Sequence, residues 1–324
     1  MSSLARTSVR IVYPSYPYKS LDHLNATLDS IKKYSIEPIF MRDSVDPRVS
    51  PPYSHTHEKR AKEIITAIEE ECPYIWAAAG GSGSIQVVSE IEKLRYIPTK
   101  PKFGKFIGFS DATHLHGLWA KWRGISYHAP NAGLTKETDI AGVGINNDTT
   151  LEEITQIIKK TRNNLSYDFK LISDPKFIAV ESIQGSIIGG NVQLLVEMQG
   201  SPTAINPKGK FIFLEDIINE DEADYLTRRL SALRRQGLFK GAKGILFGNL
   251  LVSKSGFNPD KQITVIQSFI RDDLHPNSVN IPVLYSKEFG HGQINRILPF
   301  GTNATLFPHE GLLEVSTQDP FKII

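Results

Sequence analysis

A serine, a histidine and a carboxylate that could together carry out nucleophilic catalysis are spread along this chain. Ser110 lies in the run Ile107-Gly108-Phe109-Ser110-Asp111-Ala112, between a predicted strand and a predicted helix. A sharp strand-to-helix turn can hold a serine hydroxyl above a sheet as an attacking group, and it needs small neighbours. Gly108 and Ala112 meet that need. The same pattern also fits a plainer interpretation, in which Ser110 or Asp111 only caps the helix.

A nucleophilic serine needs a base, and His291 is the best candidate among the nine histidines. It lies between two glycines in Phe289-Gly290-His291-Gly292-Gln293, after a predicted buried strand. Glu215 and Asp216 follow the apolar strand 211–214, where a carboxylate could fix the histidine tautomer and stabilise its charged form. The simpler interpretation of these two acids is a charge pair at a helix N-terminus, and Asp216 fits that interpretation well.

Three further histidines lie near these candidates in the sequence. His128, in Tyr127-His128-Ala129-Pro130, could support the base without touching substrate. His114 and His116 follow Ser110 on the predicted helix, where we expect them to point away from the turn or into solvent.

A glycine-rich run, Gly80-Gly81-Ser82-Gly83-Ser84, follows the predicted strand 74–79. Its spacing differs from G-x-G-x-x-G, which disfavours dinucleotide binding. Acyl transfer needs two N–H donors for the developing oxyanion, and backbone N–H groups in such a loop can bind an anion. We therefore predict an oxyanion hole formed by the N–H groups of Asp111 and Gly81. An ordinary glycine turn is the alternative interpretation.

Alternating strand and helix patterns in the first half predict a parallel sheet with helices on both faces. Ligands of such sheets bind at the carboxyl ends of strands, where Ser110 and the glycine run both lie. The loop 43–57 is long enough to serve a purpose such as covering a site. The predicted elements are strands 9–13, 36–41, 74–79 and 105–109, a helix capped by Ser20, a helix at 58–71 and a helix after Ser110.

A domain boundary is predicted near residue 165, giving an N-terminal domain, 1–165, and a C-terminal domain, 166–324. Thr150 begins a capping-box pattern for a helix that ends near residue 160, and 161–167 is predicted to be a linker. The second half is predicted to be a smaller, β-rich α/β domain. Its predicted strands are 177–181, 211–214, 244–247, 282–285, 305–307 and 312–315, and its helices lie near 191–199, 221–236 and 259–270.

Composition excludes several function classes. The 324 residues include 37 basic and 35 acidic side chains, and this balance gives no electrostatic case for nucleic acid or an anionic membrane. The single cysteine, Cys72, excludes an internal disulfide and a multi-cysteine zinc site, and we expect it to be buried. Neither a signal peptide nor a run of about 18 apolar residues is recognisable. We therefore expect a soluble, cytoplasmic protein.

Three motifs in this order carry a family resemblance: Gly108-Phe109-Ser110-Asp111, Phe213-Leu214-Glu215-Asp216 and Gly290-His291-Gly292. The chain resembles the LD-carboxypeptidase family of serine peptidases, which includes the microcin C immunity peptidases. The resemblance covers roughly residues 10 to 305. Further matching segments are Pro14-Ser15, Arg60-Ala61, His128-Ala129-Pro130, Gly189-Gly190-Asn191 and Leu298-Pro299-Phe300-Gly301.

The resemblance implies a catalytic triad with Ser110 as nucleophile, His291 as base and Glu215 as the group that orients the base. It implies an N-terminal parallel sheet flanked by helices, a β-rich C-terminal domain and a site at their junction. The implied substrate is a small peptide, and the typical reaction releases the terminal D-alanine of a murein tetrapeptide during cell-wall recycling in the cytoplasm. A homodimer is implied, and neither a metal nor a cofactor.

The glycine run departs from the family pattern, because Ala79 and Ser82 stand where the family has arginine and tyrosine. Two alternatives to a murein carboxypeptidase follow. One is a microcin C immunity-type peptidase acting on a peptidyl or aminoacyl adenylate analogue. Its expected aromatic clamp is not evident, since Tyr167, Phe169 and Phe177 more simply pack a core. The other is a muropeptide-binding protein with weak or no turnover.

Overall fold

Two large β-sheets, two further two-stranded sheets and their associated helices form the described part of the protein. The structure, a computed structural model, describes residues 7–40, 53–99, 103–134, 144–145, 148–252, 259–277, 279–292, 294–318 and 320. The predicted loop 43–57 lies largely outside these residues, so its predicted covering role stays a prediction.

Strands and helices alternate along most of the chain. The strands are β1 (Thr7–Val12), β2 (Ile36–Phe40), β3 (Tyr74–Ala77), β4 (Lys105–Gly108), β5 (Ser126–His128), β6 (Asn131–Leu134), β7 (Gly144–Ile145), β8 (Asn164–Asp168), β9 (Lys170–Leu171), β10 (Ile183–Asn191), β11 (Lys210–Glu215), β12 (Ile218–Asn219), β13 (Gly244–Phe247), β14 (Leu251–Val252), β15 (Val283–Tyr285), β16 (Leu298–Phe300), β17 (Asn303–Phe307) and β18 (Leu312–Ser316). The helices are α1 (Leu21–Lys33), α2 (His57–Glu69), α3 (Ser84–Lys93), α4 (Thr113–Lys121), α5 (Asp148–Ile158), α6 (Val192–Met198), α7 (Ala223–Arg235) and α8 (Pro259–Phe269). The two-stranded sheets pair β12 with β14 and β6 with β7.

The first sheet has the strand order β16-β5-β4-β3-β1-β2. Its pairings are parallel except for β16, which runs antiparallel to β5. Helix α1 begins as predicted, with the Ser20 side chain accepting a hydrogen bond from the His23 N–H. Its buried face carries Leu24, Leu28 and Ile31 at helical spacing, which attaches the helix to the sheet.

The second sheet has the strand order β8-β18-β17-β10-β11-β13-β15-β9. Its central strands β10, β11, β13 and β15 are parallel, and the flanking pairs are antiparallel. A single cluster of buried apolar side chains includes residues of both sheets, such as Ile107 and Tyr127 from the first and Phe213 from the second. The predicted fold class, an α/β protein with a parallel N-terminal sheet and a β-rich C-terminal part, is confirmed.

The longest strand among the described residues, β10 (Ile183–Asn191), has no counterpart in the sequence analysis. Its glycines hide the strand pattern, but two of them are required by close packing. A Cβ added at Gly189 would lie 1.8 Å from the Phe213 carbonyl oxygen, and one at Gly190 would lie 2.5 Å from the Thr113 hydroxyl oxygen. The glycines therefore let β10 pack tightly against β11 and against the start of α4.

Three other local predictions are wrong. The predicted strand 177–181 is replaced by a short 3₁₀ helix at Pro175–Phe177. Part of the predicted linker 161–167 belongs to β8, which pairs with β18. Helix α5 begins at Asp148, so Thr150 lies inside its first turn and does not cap it. The boundary at residue 165 stays a prediction, and β16 from the second half completes the first sheet.

Within the part of the chain that the structure describes, no helix combines the length and apolar character needed to cross a membrane. Cys72 is buried, as expected.

Candidate active site

Ser110 lies on a sharp turn between β4 and α4. The strand ends at Gly108, residues Ser110–Ala112 form one turn of 3₁₀ helix, and α4 follows at Thr113. Ser110 has a φ of +62°, in the left-handed region that non-glycine residues rarely adopt. A Cβ at Gly108 would lie 2.8 Å from the Ala112 Cβ. The turn thus needs the small neighbours that the sequence predicts, and its strained backbone presents the serine.

The structure brings the three predicted triad residues into one chain of hydrogen-bonding distances. His291 Nε2 lies 3.2 Å from Ser110 Oγ, and His291 Nδ1 lies 2.6 Å from Glu215 Oε2. Glu215 is the last residue of β11, whereas His291 lies in the loop between β15 and β16. Gly290 has a φ of +85°, and a Cβ there would lie 2.8 Å from the Glu215 Cβ. Gly290, directly before His291, therefore permits the close approach of the His291 imidazole and the Glu215 carboxylate.

Glu215 stays ionised although it is completely buried. Burial alone raises its pKa, but His291 and His128 outweigh that effect and hold the pKa at about 2. Because this value is below the ordinary 4.5, the group stabilises the fold above pH 4.5, and that contribution is lost as the pH falls toward 2. Near neutral pH the site therefore contains a permanent negative charge beside His291.

His128 lies near the second carboxylate oxygen of Glu215, whereas His291 contacts the first. His128 Nε2 lies 3.9 Å from Glu215 Oε1, and both side chains have no exposed surface. Neither ring nitrogen of His128 nor Glu215 Oε1 has a hydrogen-bond partner among the described residues. The ring packs edge-on against Phe109 and Phe213. A small movement would bring an N–H of His128 onto the second oxygen of Glu215, which agrees with the predicted supporting role.

We expect His128→Phe to lower kcat about 10-fold with little change in KM, because Glu215 loses a nearby donor for its second oxygen. His128→Gln keeps an N–H donor of similar reach and should recover part of the loss. Steady-state assays of both variants, with thermal unfolding as a control for folding, make the comparison. Equal rates for wild type and His128→Phe would contradict the supporting role.

The expectation that His114 and His116 point away from the turn or into solvent is wrong, because α4 is buried between neighbouring elements. His116 is completely buried, with Nδ1 2.8 Å from Ser126 Oγ and Nε2 3.0 Å from the Gly108 carbonyl oxygen. Burial, and next the charge of His128, lower its pKa to about 3, so it is neutral. It fixes the end of β4 just before the turn.

The glycine run lies directly against Ser110. A Cβ at Gly80 would lie 3.5 Å from the Ser110 Cβ and 3.6 Å from its Oγ. Gly81, the predicted oxyanion donor, has a φ of +112°, and a Cβ there would lie 2.3 Å from the Tyr16 ring. Gly81, Asp111 and Ser110 line the same cleft, as an oxyanion hole requires.

The Asp111 side chain has a structural role that the sequence analysis missed. Its carboxylate accepts hydrogen bonds from the Ser15 hydroxyl and, at 2.8 Å, from the Ser84 backbone N–H. The Ser84 hydroxyl in turn donates to the Asp111 carbonyl oxygen. The buried Arg60 donates to the carbonyl oxygens of Pro14 and Gly83. Together these contacts join the end of β1, the glycine run and the serine turn.

We expect Gly81→Ala to lower kcat about 10²-fold, because the strained φ and the contact with Tyr16 would move the N–H of residue 81. The double variant Gly81→Ala, Tyr16→Ala removes the contact but keeps the strain, and it should recover only part of the rate. Steady-state kinetics measure both. A Gly81→Ala enzyme with the wild-type rate would exclude this N–H from the oxyanion hole.

Asp216 is not a charge at a helix N-terminus, because a 3₁₀ turn begins only at Glu220 and α7 at Ala223. It is buried, and its Oδ1 accepts from Asn191 Nδ2 at 3.1 Å and from the Ile217 N–H at 2.8 Å. Its Oδ2 lies 3.3 Å from Arg229 Nη1. Burial, and next the charge of Glu215, raise the pKa of Asp216.

A cleft of about 650 Å³ opens beside Ser110 and is lined from both halves of the chain. Gly81, Ser110 and His114 contribute from the first half, and Asn191 and Arg229 from the second. Across the described residues, no group of three or more histidine, cysteine or acidic side chains is arranged to hold a metal ion. The cleft is large enough for several residues of a peptide.

Comparison with known families covers both halves of the site. Residues 9–129 match the LD-carboxypeptidase N-terminal domain, and residues 184–306 match the LD-carboxypeptidase C-terminal domain. A Rickettsia prowazekii protein named a carboxypeptidase is 31% identical over 253 residues, which are 77% of this chain and 70% of that protein. The chain belongs to the LD-carboxypeptidase family. It is therefore classed as a serine-type carboxypeptidase.

Two solved structures share the fold of this LD-carboxypeptidase family member. Muramoyltetrapeptide carboxypeptidase from Oxalobacter formigenes superposes with a TM-score of 0.72 at 21% identity, covering 96% of this chain and 99% of that one. An MccF-like protein from Streptococcus pneumoniae in complex with AMP gives a TM-score of 0.73 at 18% identity, covering 97% and 99%. At these identities the likeness concerns the fold, and the substrate must be argued from the site.

Proposed function

We propose that this enzyme hydrolyses an L,D-peptide bond and releases the terminal D-amino acid of a murein tetrapeptide. The observation that carries the proposal is the continuous Ser110–His291–Glu215 contact at the edge of a peptide-sized cleft. In this scheme Ser110 is the nucleophile, His291 the general base and Glu215 the group that orients it.

The reaction proceeds in two acyl-transfer steps. Ser110 Oγ attacks the scissile carbonyl carbon while His291 Nε2 accepts the hydroxyl proton, and the N–H groups of Gly81 and Asp111 bind the oxyanion. Collapse of this intermediate breaks the C–N bond, and His291 passes its proton to the leaving amine. A water molecule then attacks the acyl-enzyme, His291 takes its proton, and Ser110 regains it as the product acid departs.

Glu215 supports both steps through its fixed charge. At 2.6 Å from Nδ1 it holds the proton on that nitrogen, so Nε2 is the one available to accept the serine proton. When His291 becomes positively charged, the buried carboxylate stabilises it in surroundings of low dielectric constant. The carboxylate itself remains unprotonated throughout.

The choice of a peptide over an adenylate is supported by the aromatic side chains. Tyr167 and Phe169 are buried in the apolar cluster shared by the two sheets and are not placed to stack on a nucleobase. The Phe177 side chain lies outside the described residues. The adenylate alternative is supported by the MccF-like neighbour, whose structure contains AMP. Cytoplasmic location and a homodimer stay predictions.

Release of D-alanine from purified murein tetrapeptide tests the proposal. We expect turnover of the tetrapeptide. We expect little or no turnover of a murein pentapeptide or of aspartyl sulfamoyl adenosine. Preferred cleavage of an aminoacyl adenylate analogue would favour the immunity-type alternative. Binding of tetrapeptide without turnover, together with no fluorophosphonate labelling at Ser110, would favour the binding-protein alternative.

A further inference from the structure

Arg229 is the one lysine or arginine among the described residues that line the cleft beside Ser110. A peptide carboxyl terminus is ionised at neutral pH, and a carboxypeptidase has to recognise that charge. We propose that the Arg229 guanidinium binds the terminal carboxylate of the peptide substrate. This inference rests on the proposed function and adds the residue that makes the enzyme select chain ends.

The guanidinium is held in a fixed place at the cleft wall. Arg229 lies on α7, and its side chain keeps 27% of its surface exposed, compared with 5% for Asp216, its ion-pair partner. A guanidinium has five N–H donors in a planar fork, and the contact with Asp216 uses a donor on Nη1. The rest of the fork can take a carboxylate through two parallel hydrogen bonds.

Asp216 gives this arrangement its rigidity. Its carboxylate also accepts from Asn191 Nδ2 and from the Ile217 N–H, so its negative charge is shared among three donors. Arg229 is thus positioned by the ion pair without being fully neutralised. The buried acid that the sequence analysis assigned to a helix start becomes, in this interpretation, the support of a substrate-binding arginine.

Arg229 lines the same cleft as Ser110, and its partner Asp216 directly follows Glu215 in the chain. His291, which Glu215 contacts, delivers the proton to the leaving amine. The terminal carboxylate belongs to the amino acid that leaves with that amine. Ile217 and Tyr225 also line the cleft and are partly exposed, so they offer apolar surface for a small side chain such as the methyl group of alanine.

Acidic side chains elsewhere in the cleft reinforce the selection. Glu197 and Glu222 also line it. A carboxylate placed beside either of them would be repelled, whereas one beside Arg229 is attracted, so the charges favour a single orientation of the peptide.

The experiment compares murein tetrapeptide with the same peptide carrying a C-terminal carboxamide. We expect the wild type to prefer the free acid, and Arg229→Gln to lower kcat/KM for the free acid about 10- to 100-fold, mainly through KM. In Arg229→Gln, kcat/KM for the amide should change less than about 3-fold, so the variant loses the preference for the free acid. Arg229→Lys keeps the charge without the planar fork and should lie between.

Arg235→Gln is the matched control. Arg235 lies on the same helix as Arg229, is exposed, and does not line the cleft. The change should leave kcat/KM unchanged for both substrates. Thermal unfolding and fluorophosphonate labelling of Ser110 show whether each variant is folded with an intact serine site.

Two results would overturn the inference while leaving the proposed function in place. One is an Arg229→Gln enzyme that keeps the wild-type preference for the free acid. The other is an equal loss on acid and amide, which would move the arginine to another group of the peptide or to a structural role. A wild type that cleaves neither peptide would instead refute the proposed function, and this inference would fall with it.

Discussion

Replacing Ser110 by alanine is expected to reduce kcat by about 10⁵- to 10⁶-fold, because the attacking oxygen is lost and only binding and oxyanion stabilisation remain. The stability cost should stay below about 1 kcal/mol, since the hydroxyl faces a cleft and the Cβ is retained. Steady-state assays on murein tetrapeptide and chemical denaturation measure the two quantities. An alanine variant with the wild-type kcat would show that Ser110 is not the nucleophile.

Ser110→Gly provides a control that separates catalysis from backbone strain. Ser110 has a φ of +62°, which costs a residue with a Cβ about 1 kcal/mol relative to glycine. The glycine variant should therefore be as inactive as the alanine variant but about 1 kcal/mol more stable than it. Equal stability of the two variants would contradict a strained turn.

The second large effect is expected at Glu215. Glu215→Gln removes the charge that stabilises the imidazolium, and its amide can donate to Nδ1 and favour the wrong tautomer. We expect kcat to fall by roughly 10²- to 10⁴-fold with KM little changed. Raising the pH should not restore the rate, since the glutamine amide cannot regain the lost charge by deprotonation.

Asp216→Asn is the matched comparison, because the neighbouring acid is also buried. Asparagine keeps one oxygen for Asn191 and the Ile217 N–H but loses the charge opposite Arg229. We expect a stability loss of about 1–3 kcal/mol and a higher KM, with kcat much less affected than in Glu215→Gln. An inactive Asp216 variant beside an active Glu215 variant would move the triad carboxylate to Asp216.

Sequence patterns succeeded where the local backbone decides the outcome. Gly108 and Ala112 are the small neighbours that the turn at Ser110 needs, and Gly290 supplies the positive φ before His291, so both patterns are recognisable without the fold. The order of the motifs along the chain then placed the serine in one half and its partners in the other. The structure adds the distances that bring them together.

Sequence patterns failed where long-range packing decides the outcome. Gly189 and Gly190 weaken the strand pattern of β10, yet neighbours far away in the chain require them there. His116 lies on a helix that is enclosed by both sheets, so its burial could not be deduced from the helix alone. Asp216 resembled a helix-start acid because its partners, Asn191 and Arg229, come from two other elements.

The antiparallel strand β16 has a consequence for exchanging parts between family members. It follows the His291 loop and pairs with β5, with Leu298 opposite His128, so the C-terminal half supplies an outer strand of the N-terminal sheet. A chimaera that takes its C-terminal half from another protein thus imports a foreign sheet edge together with its histidine. Its success depends on matching that strand to the recipient's β5, and an unmatched edge would be open to pairing between chains.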